Sequence, residues 1–177
     1  EYVQAHPIDF ILQPFIELPL EVSILIYKIP ETQETRITSI CEKELLHVTG
    51  NGEATIRELI LQSDRAVLQY ERLCKKFGSG IDDVLPKGKW LLLEPVGNHC
   101  RGTKFINRND HSDEAIHRVM TRLLNSMPGV FYGRFDMKVA SWGALREGRD
   151  IMELEFNGTN SDPAHVFERG NSIFKAY

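Results

Sequence analysis

The sequence predicts an α+β fold, in which a mostly antiparallel sheet is packed against flanking helices. Two observations lead to this class. The predicted elements run in the order of three strands, two helices, a strand, a third helix and a two-stranded hairpin, so strands follow one another near both ends. Short turns marked by Gly, Pro and Asn separate neighbouring strands, and strands joined by short turns pair in antiparallel fashion.

The first quarter of the chain is predicted to form three strands. Residues 9–16, DFILQPFI, predict a short buried strand in which Pro14 implies an edge position or a bend. Residues 21–29, EVSILIYKI, predict a second strand, and the turn that follows begins at Pro30. Residues 36–46, RITSICEKELL, alternate between polar and apolar side chains and predict the third strand.

The middle of the chain is predicted to contain two helices and a strand. Residues 54–60, ATIRELI, predict a short helix, and residues 63–77, SDRAVLQYERLCKKF, a longer one capped by Ser63 or Asp64. Residues 89–97, KWLLLEPVG, predict a strand whose apolar centre indicates a central position in the sheet. The polar segment that follows, NHCRGTKFINRNDH, is predicted to be a long loop.

The clearest helix covers residues 112–127, SDEAIHRVMTRLLNSM. Ser112 is the predicted N-cap, and the acidic Asp113 and Glu114 suit the positive end of a helix dipole. The apolar residues recur at helical spacing, which predicts one buried face. That face consists of Ile116, Val119, Met120, Leu123, Leu124 and Met127.

The predicted hairpin, residues 133–140 and 152–157, places two carboxylates opposite each other. Its midpoint falls near Leu145 and Arg146, and the residue numbers of antiparallel partners sum to a constant. Like charges directly opposite one another destabilise a sheet by roughly 0.2–1 kcal/mol, so this arrangement needs a reason. The predicted pairs are Asp136–Glu155, Lys138–Glu153 and Arg134–Asn157.

A divalent cation would remove this repulsion, because hard cations take carboxylate and amide oxygens as ligands. Asp136, Glu155 and Asn157 supply such oxygens on one face of the hairpin. Arg134 beside them could hold a phosphate or a carboxylate through two parallel hydrogen bonds. Alternatively, the hairpin presents a solvated polar face, on which Lys138 pairs with Glu153 and water dilutes the repulsion. The residues alone leave both interpretations open.

The composition excludes some classes of function. The chain has 177 residues, 42% of them apolar, and a formal net charge of −4 with both signs mixed. This balance is unlike the basic surplus of a nucleic-acid binder. Cys41, Cys74 and Cys100 form neither a zinc motif nor a disulfide framework, so a cytoplasmic location is expected. No apolar run reaches membrane-spanning length, and neither nucleic acid nor a membrane is an expected partner.

Several motifs resemble the C-terminal part of the ATP-grasp fold of carboxylate–amine ligases. Residues 134–138, RFDMK, and 152–158, MELEFNG, resemble the Arg-x-Asp and Glu-x-Asn strands that hold magnesium there. Residues 45–60, LLHVTGNGEATIRELI, resemble a stretch of cyanophycin-synthetase-like and glutathione-synthetase-like ligases. Residues 12–21, LQPFIELPLE, resemble the hinge that holds adenine in D-alanine–D-alanine-ligase-like enzymes. Residues 98–105, NHCRGTKF, resemble the loop that faces the phosphates.

The resemblance implies roles for a metal site and for one arginine. Asp136, Glu155 and Asn157 would hold Mg²⁺, or Mn²⁺ in its place, against the phosphates of ATP. Arg134 would steady the transferring phosphate or the acyl phosphate. Arg101 is a candidate from the residues themselves, because it precedes a glycine in a polar loop directly after an apolar strand, where backbone and side chain can approach an anion.

The resemblance also implies a nucleotide site. Gln13 and Phe15 would lie along the adenine, Glu21 would accept hydrogen bonds from the ribose, and Lys43 would face the phosphates. Three of these residues have a plainer interpretation: Phe15 as a core residue, Glu21 as a surface carboxylate, and Lys43 as one member of a solvated cluster with its acidic neighbours.

The chain also departs from the family. The lysine and the glycine-rich loop that precede the hinge in these ligases, and their further substrate-binding domain, have no counterpart in the sequence. We therefore expect residues 1–177 to be a C-terminal ATP-grasp subdomain from a longer ligase, inactive by itself. The loop at residues 98–103, NHCRGT, is not Ser/Thr/Gly-rich as in the family, and the identity of the substrates stays open, as do the roles of His99, Cys100 and His165.

The activity implied is an ATP- and Mg²⁺-dependent ligation of a small carboxylate to an amine or thiol through an acyl phosphate. The oligomeric state, including a homodimer, stays open. The alternative is a non-catalytic nucleotide-binding or regulatory module derived from the same fold, which predicts the loss of at least one magnesium ligand. A third class, a Mg²⁺-dependent phosphohydrolase or nuclease, does not predict the hinge.

Overall fold

The computed structural model describes residues 8–10 and 12–168, and their main feature is a five-stranded sheet. The strands lie in the order β5-β2-β1-β6-β7, and each neighbouring pair is antiparallel. Two short strands form a separate sheet, β3 (His47–Thr49) with β4 (Trp90–Leu92). The bounds of the main sheet are β1 Leu20–Lys28, β2 Thr35–Glu44, β5 Lys104–Asn107, β6 Tyr132–Val139 and β7 Ile151–Asn157.

The helices of the described residues pack on one side of this sheet or form a separate unit. None of them is both long and apolar enough to cross a membrane. Short 3₁₀ turns connect several of the elements. The α-helices are α1 Ile56–Gln62, α2 Tyr70–Phe77, α3 Glu114–Asn125 and α4 Trp142–Glu147.

The central strand β1 has a different environment on each face. Val22, Ile24 and Ile26 are fully buried in the core against α3. Side chains alternate along a strand, so Glu21 and Ser23 lie on the opposite face. The strands expected at residues 21–29 and 36–46 are confirmed as β1 and β2, although β2 ends at Glu44.

Helix α3 covers the apolar face of the sheet. Ile116, Met120 and Leu124 are fully buried in the same core cluster as β1. Its N-cap is Asp113 and not Ser112, which was the predicted cap: Asp113 Oδ1 accepts from Ala115 N and Ile116 N, both at 3.0 Å. These backbone donors hold the pKa of the Asp113 carboxyl below its usual range.

The chain between β2 and β5 forms a small helical unit with its own core. Helix α1 begins in a capping box, where Glu58 N donates to Thr55 Oγ1 and Thr55 N donates to Glu58 Oε2. This reciprocal pair satisfies two donors that the first turn leaves without helical partners. The core cluster of the unit consists of Leu46, Val48, Ile56, Ile60, Ala66, Leu73, Ile81, Leu85 and Leu93.

Three predictions for this unit are wrong in detail. The helix expected from residue 63 begins only at Tyr70, because Ser63 ends α1 and its hydroxyl accepts from Ala66 N in a local turn. Neither Ser63 nor Asp64 therefore caps α2. The strand expected at residues 89–97 is limited to β4, and it pairs with β3 outside the main sheet rather than in its centre.

The segment before β1 is not a strand in its described part. Residues 12–18 have no strand pairing, and Leu12 and Phe15 are 89% and 74% exposed. Pro14 and Pro19 carry no N–H to donate to a neighbouring strand, which explains why the apolar pattern does not pair here. Ile11 lies outside the described residues. The segment expected as a loop at residues 98–111 contains β5, the edge strand beside β2.

The two strands of the predicted hairpin pair, but helix α4 connects them. Ser141 caps α4 by accepting from Ala144 N at 3.0 Å, and Gly148 ends it with φ at 70°. The pairs Arg134–Asn157 and Asp136–Glu155 are confirmed. A bulge then adds one residue to β7, so the register pairs Lys138 with Met152 and Met137 with Glu153. The expected Lys138–Glu153 pair is wrong for this reason.

Candidate active site

The face of the sheet that points away from α3 carries a set of charged and polar side chains, which we call the polar face. Strand pairing assembles it: Ser23 of β1 lies opposite Asp136 of β6, and Asp136 lies opposite Glu155 of β7. Glu21 is paired on one side with Lys43 and on the other with Lys138. The members are Glu21, Ser23, Lys43, Arg134, Asp136, Lys138, Glu155 and Asn157.

Asp136 is the centre of the polar face and is 4% exposed. Its Oδ1 accepts from Ser23 Oγ at 2.5 Å and from Arg134 Nε at 3.0 Å. Its Oδ2 accepts from Arg134 Nη2 at 3.1 Å and from Asn157 Nδ2 at 3.2 Å. The two Arg134 bonds are the parallel pair that a guanidinium makes with a carboxylate. The structure thus brings Arg134, Asp136 and Asn157 together, as the sequence predicted.

Lys43 connects Asp136 to Glu21. Its Nζ lies 3.6 Å from Asp136 Oδ2 and 3.4 Å from Glu21 Oε1, and its side chain is 8% exposed. Gly97 packs against the same glutamate, since a Cβ on this glycine would overlap Glu21 Oε1. Glu21 is therefore a buried ion-pair partner of Lys43, and not the plain surface carboxylate of the alternative interpretation.

Glu155 completes the like-charge pair with Asp136 and is exposed to solvent. The bulge in β7 separates it from Glu153, which lines a groove on the other side of the sheet with Val119 and Arg122 of α3. Bulges are common beside active sites, where they redirect a side chain. Only Glu155 and Asn157 of β7 therefore belong to the polar face.

The donor set suits a hard cation. Two carboxylates on directly opposed positions, with an amide beside them, offer oxygens of the kind that Mg²⁺ takes. Among the described residues, no group of three or more His, Cys, Asp and Glu side chains is arranged to hold a metal ion. The predicted set of Asp136, Glu155 and Asn157 contains only two such residues, so it stays a prediction.

A cleft of about 440 Å³ adjoins the polar face at the start of β1. Its lining includes Phe15 from the segment before β1, and His47 and Trp90, whose rings lie 5.2 Å apart. Lys43 and Lys138 line it as well, and Lys138 Nζ lies 5.3 Å from the centre of the Phe15 ring. Aromatic rings suit a flat ligand, and the two lysines could contact its anionic groups. The carboxylates of Glu17, Glu21, Glu42 and Glu44 line the same cleft, so an anion can be accepted only at the lysines.

The predicted nucleotide residues divide into two groups in this structure. Phe15, Glu21 and Lys43 line the cleft, whereas Gln13 is exposed and is not among its lining residues. Phe15 is not a core residue, because most of its surface is exposed. Their roles toward a nucleotide stay predictions.

Arg101 lies apart from the polar face. Its Nη1 is 3.7 Å from Glu94 Oε1, and Glu94 also binds Arg72 and accepts from Val96 N at 3.2 Å. Glu94 is 2% exposed, so its charge is compensated by these groups and not by water. The structure does not bring Arg101 to Asp136, and the expected contact of Arg101 with the reacting anion stays a prediction.

The remaining candidates have structural partners. His99 packs against the rings of Phe105 and Phe167, at 5.6 and 5.3 Å between ring centres. His165 Nδ1 lies 2.7 Å from Ser39 Oγ, and burial lowers the pKa of the His165 imidazole. Cys100 is exposed, and its backbone N donates to Asn98 Oδ1 at 2.8 Å. Cys41, which was not a candidate, is buried, and burial raises the pKa of its thiol to about 12.

Sequence reasoning missed three residues of this region. Ser23 donates to Asp136, and Lys138 lines the cleft and donates to Ile16 O at 3.0 Å. Glu94 binds Arg72 of α2 and Arg101 of the loop. The alternation of Glu21 and Ser23 with apolar neighbours was a usable signal for Ser23. The sequence around Glu94 carries no pattern that predicts its role, because its partners come from a distant helix and from the loop that follows.

Comparison with known proteins supports an ATP-grasp-like fold. No protein-family model matches the chain, and no curated protein matches it. Among solved structures, the crystal structure of a bifunctional glutathione synthetase from Pasteurella multocida is similar, with a TM-score of 0.54 and 15% identity. The match covers 85% of this chain but 22% of that enzyme's chain. At this identity the likeness concerns the fold alone.

Proposed function

We propose that this chain is the nucleotide- and metal-binding part of an ATP-dependent ligase that joins a small carboxylate to an amine or a thiol. One observation carries the proposal: Lys43 lines the aromatic cleft and also lies 3.6 Å from Asp136. A ligand with its base in the cleft would thus extend its phosphates along Lys43 toward the Asp136 cluster. The ATP-grasp-like fold is consistent with such a ligand.

The residues of the chain would each act on a different part of the ligand. Phe15 and Trp90 would flank the base, and Lys43 and Lys138 would neutralise phosphate charge. Asp136 and Glu155, with the amide oxygen of Asn157, would hold Mg²⁺. When bound, this ion would neutralise charge on the phosphoryl group during its transfer.

In the proposed reaction, the protein positions the substrates and compensates the charge on the transferring phosphoryl group. A carboxylate oxygen of the first substrate attacks the terminal phosphorus of ATP, the bond to ADP breaks, and an acyl phosphate forms. The amine or thiol then attacks the carbonyl carbon, loses its proton, and displaces inorganic phosphate. Lys43 and Arg134 would stabilise the negative charge on the transferring group.

Nucleotide binding can be measured with the tryptophan in the cleft. The chain contains two tryptophans, and Trp142 lies elsewhere, stacked on His111 at 4.0 Å. In a Trp142→Phe variant, fluorescence reports Trp90 alone, and Mg-ATP should change its intensity in a saturable manner. The Trp90→Phe variant, which keeps Trp142, should give no such change. A flat titration of Trp90 would overturn the proposed cleft.

The metal part of the proposal is tested by repeating this titration with Asp136→Asn. We expect Mg²⁺ to raise the affinity for ATP in the parent, and Asp136→Asn to reduce that gain by about tenfold or more. ADP release by the protein in its natural full length, with pooled carboxylates and pooled amines, then tests the reaction. ADP that requires both pools supports a ligase; binding without ADP release would support the non-catalytic module.

A further inference from the structure

We propose that Arg134 and a divalent cation exchange at Asp136, so that binding of the metal releases Arg134 to hold an anion. This inference rests on the proposed function in one respect, namely that a metal ion binds at Asp136. It adds that Arg134 is a movable counter-ion rather than a fixed anion site, and that the metal sets its position.

The first argument is the saturation of Asp136. Each carboxylate oxygen accepts about two hydrogen bonds, and both oxygens of Asp136 are at that limit. Oδ1 has Ser23 Oγ at 2.5 Å and Arg134 Nε at 3.0 Å. Oδ2 has Arg134 Nη2 at 3.1 Å and Asn157 Nδ2 at 3.2 Å. A metal ligand needs a free oxygen lone pair, so a cation can bind Asp136 only after a donor has left.

Charge selects Arg134 as the donor that leaves. A divalent cation beside Asp136 would repel a guanidinium that lies 3.0 Å from the same carboxylate, whereas the hydroxyl of Ser23 and the amide of Asn157 carry no charge. Lys43 is also a cation, but its Nζ lies 3.6 Å from Asp136 Oδ2, beyond hydrogen-bond distance, and 3.4 Å from Glu21 Oε1, so it occupies no lone pair of Asp136 and keeps a second carboxylate. The amide of Asn157 can turn its oxygen to a metal, but a guanidinium has no acceptor to turn. Keeping Arg134 on Asp136 beside the metal would therefore cost more free energy than keeping Ser23 or Asn157 there.

The surroundings allow Arg134 to move without losing its place on the polar face. Its third nitrogen, Nη1, donates to Asp162 O at 3.1 Å, a bond that is independent of Asp136. Its side chain is 20% exposed, compared with 5% for Asp136, so the guanidinium already borders solvent. Once released, Nε and Nη2 could bind a phosphate or carboxylate oxygen near the metal.

This exchange has a thermodynamic consequence. Arg134 and the metal compete for Asp136 when no anion is present, whereas a bound anion holds Arg134 away from Asp136 and favours the metal. By linkage, the metal and the anion must each raise the affinity for the other. The protein would then hold the anion tightly only after the metal is in place.

The competition between Arg134 and the metal is tested by measuring the binding of Mn²⁺ alone to residues 1–177 with electron paramagnetic resonance. Arg134→Gln should bind Mn²⁺ about tenfold more tightly than the parent, because hydrogen bonds to a charged group no longer have to be broken. Arg108→Gln makes the same substitution at another arginine that is paired with a carboxylate, but Arg108 Nε binds Glu42 Oε2 at 2.7 Å and not Asp136. It should change the affinity by less than about threefold. Equal effects of the two variants would overturn the exchange.

A second measurement follows Arg134 directly. In a ¹H–¹⁵N spectrum of arginine side chains, assigned by the loss of one signal in Arg134→Gln, the Nε–H signal of Arg134 should shift as Mg²⁺ is added. The Arg134 signal could stay in place as Mg²⁺ is added, although the separate Mn²⁺ measurement shows binding that Asp136→Asn abolishes. This result would overturn the exchange but leave the metal site intact. Absence of Mn²⁺ binding in every variant would overturn both the exchange and the metal part of the proposed function.

Discussion

Three charged residues on the polar face are more than nine-tenths buried, and their burial is the strongest residue-level indication of a binding site. The side chains of Glu21 and Lys43 are each 8% exposed, and that of Asp136 is 5% exposed. Removing an ion from water costs several kcal/mol, and well-packed apolar residues in place of a buried pair are often equally or more stabilising. Charges retained under these conditions are typical of groups that act on a ligand.

Gly97 offers a test of how tightly Glu21 is held. A methyl group in Gly97→Ala would overlap Glu21 Oε1, so the carboxylate must leave Lys43 or the loop must shift. We expect the free energy of unfolding to fall by about 1–3 kcal/mol, as for other overpacked sites. Urea unfolding measures this change.

The matched control for Gly97→Ala is Gly158→Ala. A Cβ added to Gly158 would have no atom within 4 Å, so this substitution should change stability by less than about 0.5 kcal/mol. If both variants lose the same stability, the close contact between Gly97 and Glu21 does not constrain the site.

At the scale of elements, helix α3 and four strands of the main sheet, β1, β2, β6 and β7, could be predicted from the sequence, whereas β5 was expected to be a loop. A short apolar run before Pro30 gave β1, alternation gave β2, helical spacing gave α3, and the constant sum of residue numbers gave the Asp136–Glu155 pair. The bulge in β7 could not be predicted, since periodicity does not say where a strand takes one extra residue. That residue changes the partner of Glu153 and breaks its expected pair with Lys138.

The N-cap of α3 is another feature that the sequence pattern does not determine. Ser112 and Asp113 are both good N-cap residues, and the sequence does not choose between them. In the structure Asp113 accepts from two backbone donors and also binds Arg146 Nε at 2.6 Å. We expect Asp113→Ala to lower the free energy of unfolding by about 1–2 kcal/mol. Thermal unfolding followed by circular dichroism measures this loss.

Ser112→Ala serves as the comparison for the cap. Ser112 precedes the cap, so its replacement should cost less than about 0.5 kcal/mol. A larger loss for Ser112→Ala than for Asp113→Ala would assign the cap to the serine, as the sequence predicted. The ion pair to Arg146 contributes little to the difference, because both side chains are more than a third exposed.

At the scale of the whole molecule, the helical unit and the sheet are joined around the loop between β4 and β5. Glu94 binds Arg72 of α2 and Arg101 of the loop, Gln69 Nε2 donates to Cys100 O at 3.0 Å, and Arg65 Nη1 donates to Thr103 O at 2.8 Å. The same loop contains Gly97, which touches Glu21 on the polar face. The helical unit therefore contributes to the site through this loop, although most of its residues are remote from Asp136.

Glu94 is the buried residue in this connection between the helical unit and the sheet. Glu94→Ala should therefore weaken the connection more than the removal of an exposed charge would. Arg72 and Arg101 would lose their carboxylate, and breaking a buried pair by removing one partner costs about 3–5 kcal/mol. We expect a loss at the lower end of this range, since both arginines are partly exposed. Urea unfolding, followed separately in the helical unit and beside the sheet, measures the effect.

The two tryptophans report these two parts, because Trp90 belongs to β4 and Trp142 to α4 beside the sheet. Single-tryptophan versions of the parent should unfold in urea at one common midpoint, whereas in Glu94→Ala the Trp90 midpoint should fall below that of Trp142. Glu71→Ala, which removes an exposed charge from α2, should keep the midpoints together. Coincident midpoints in Glu94→Ala would mean that the apolar cores, and not this buried carboxylate, join the helical unit to the sheet.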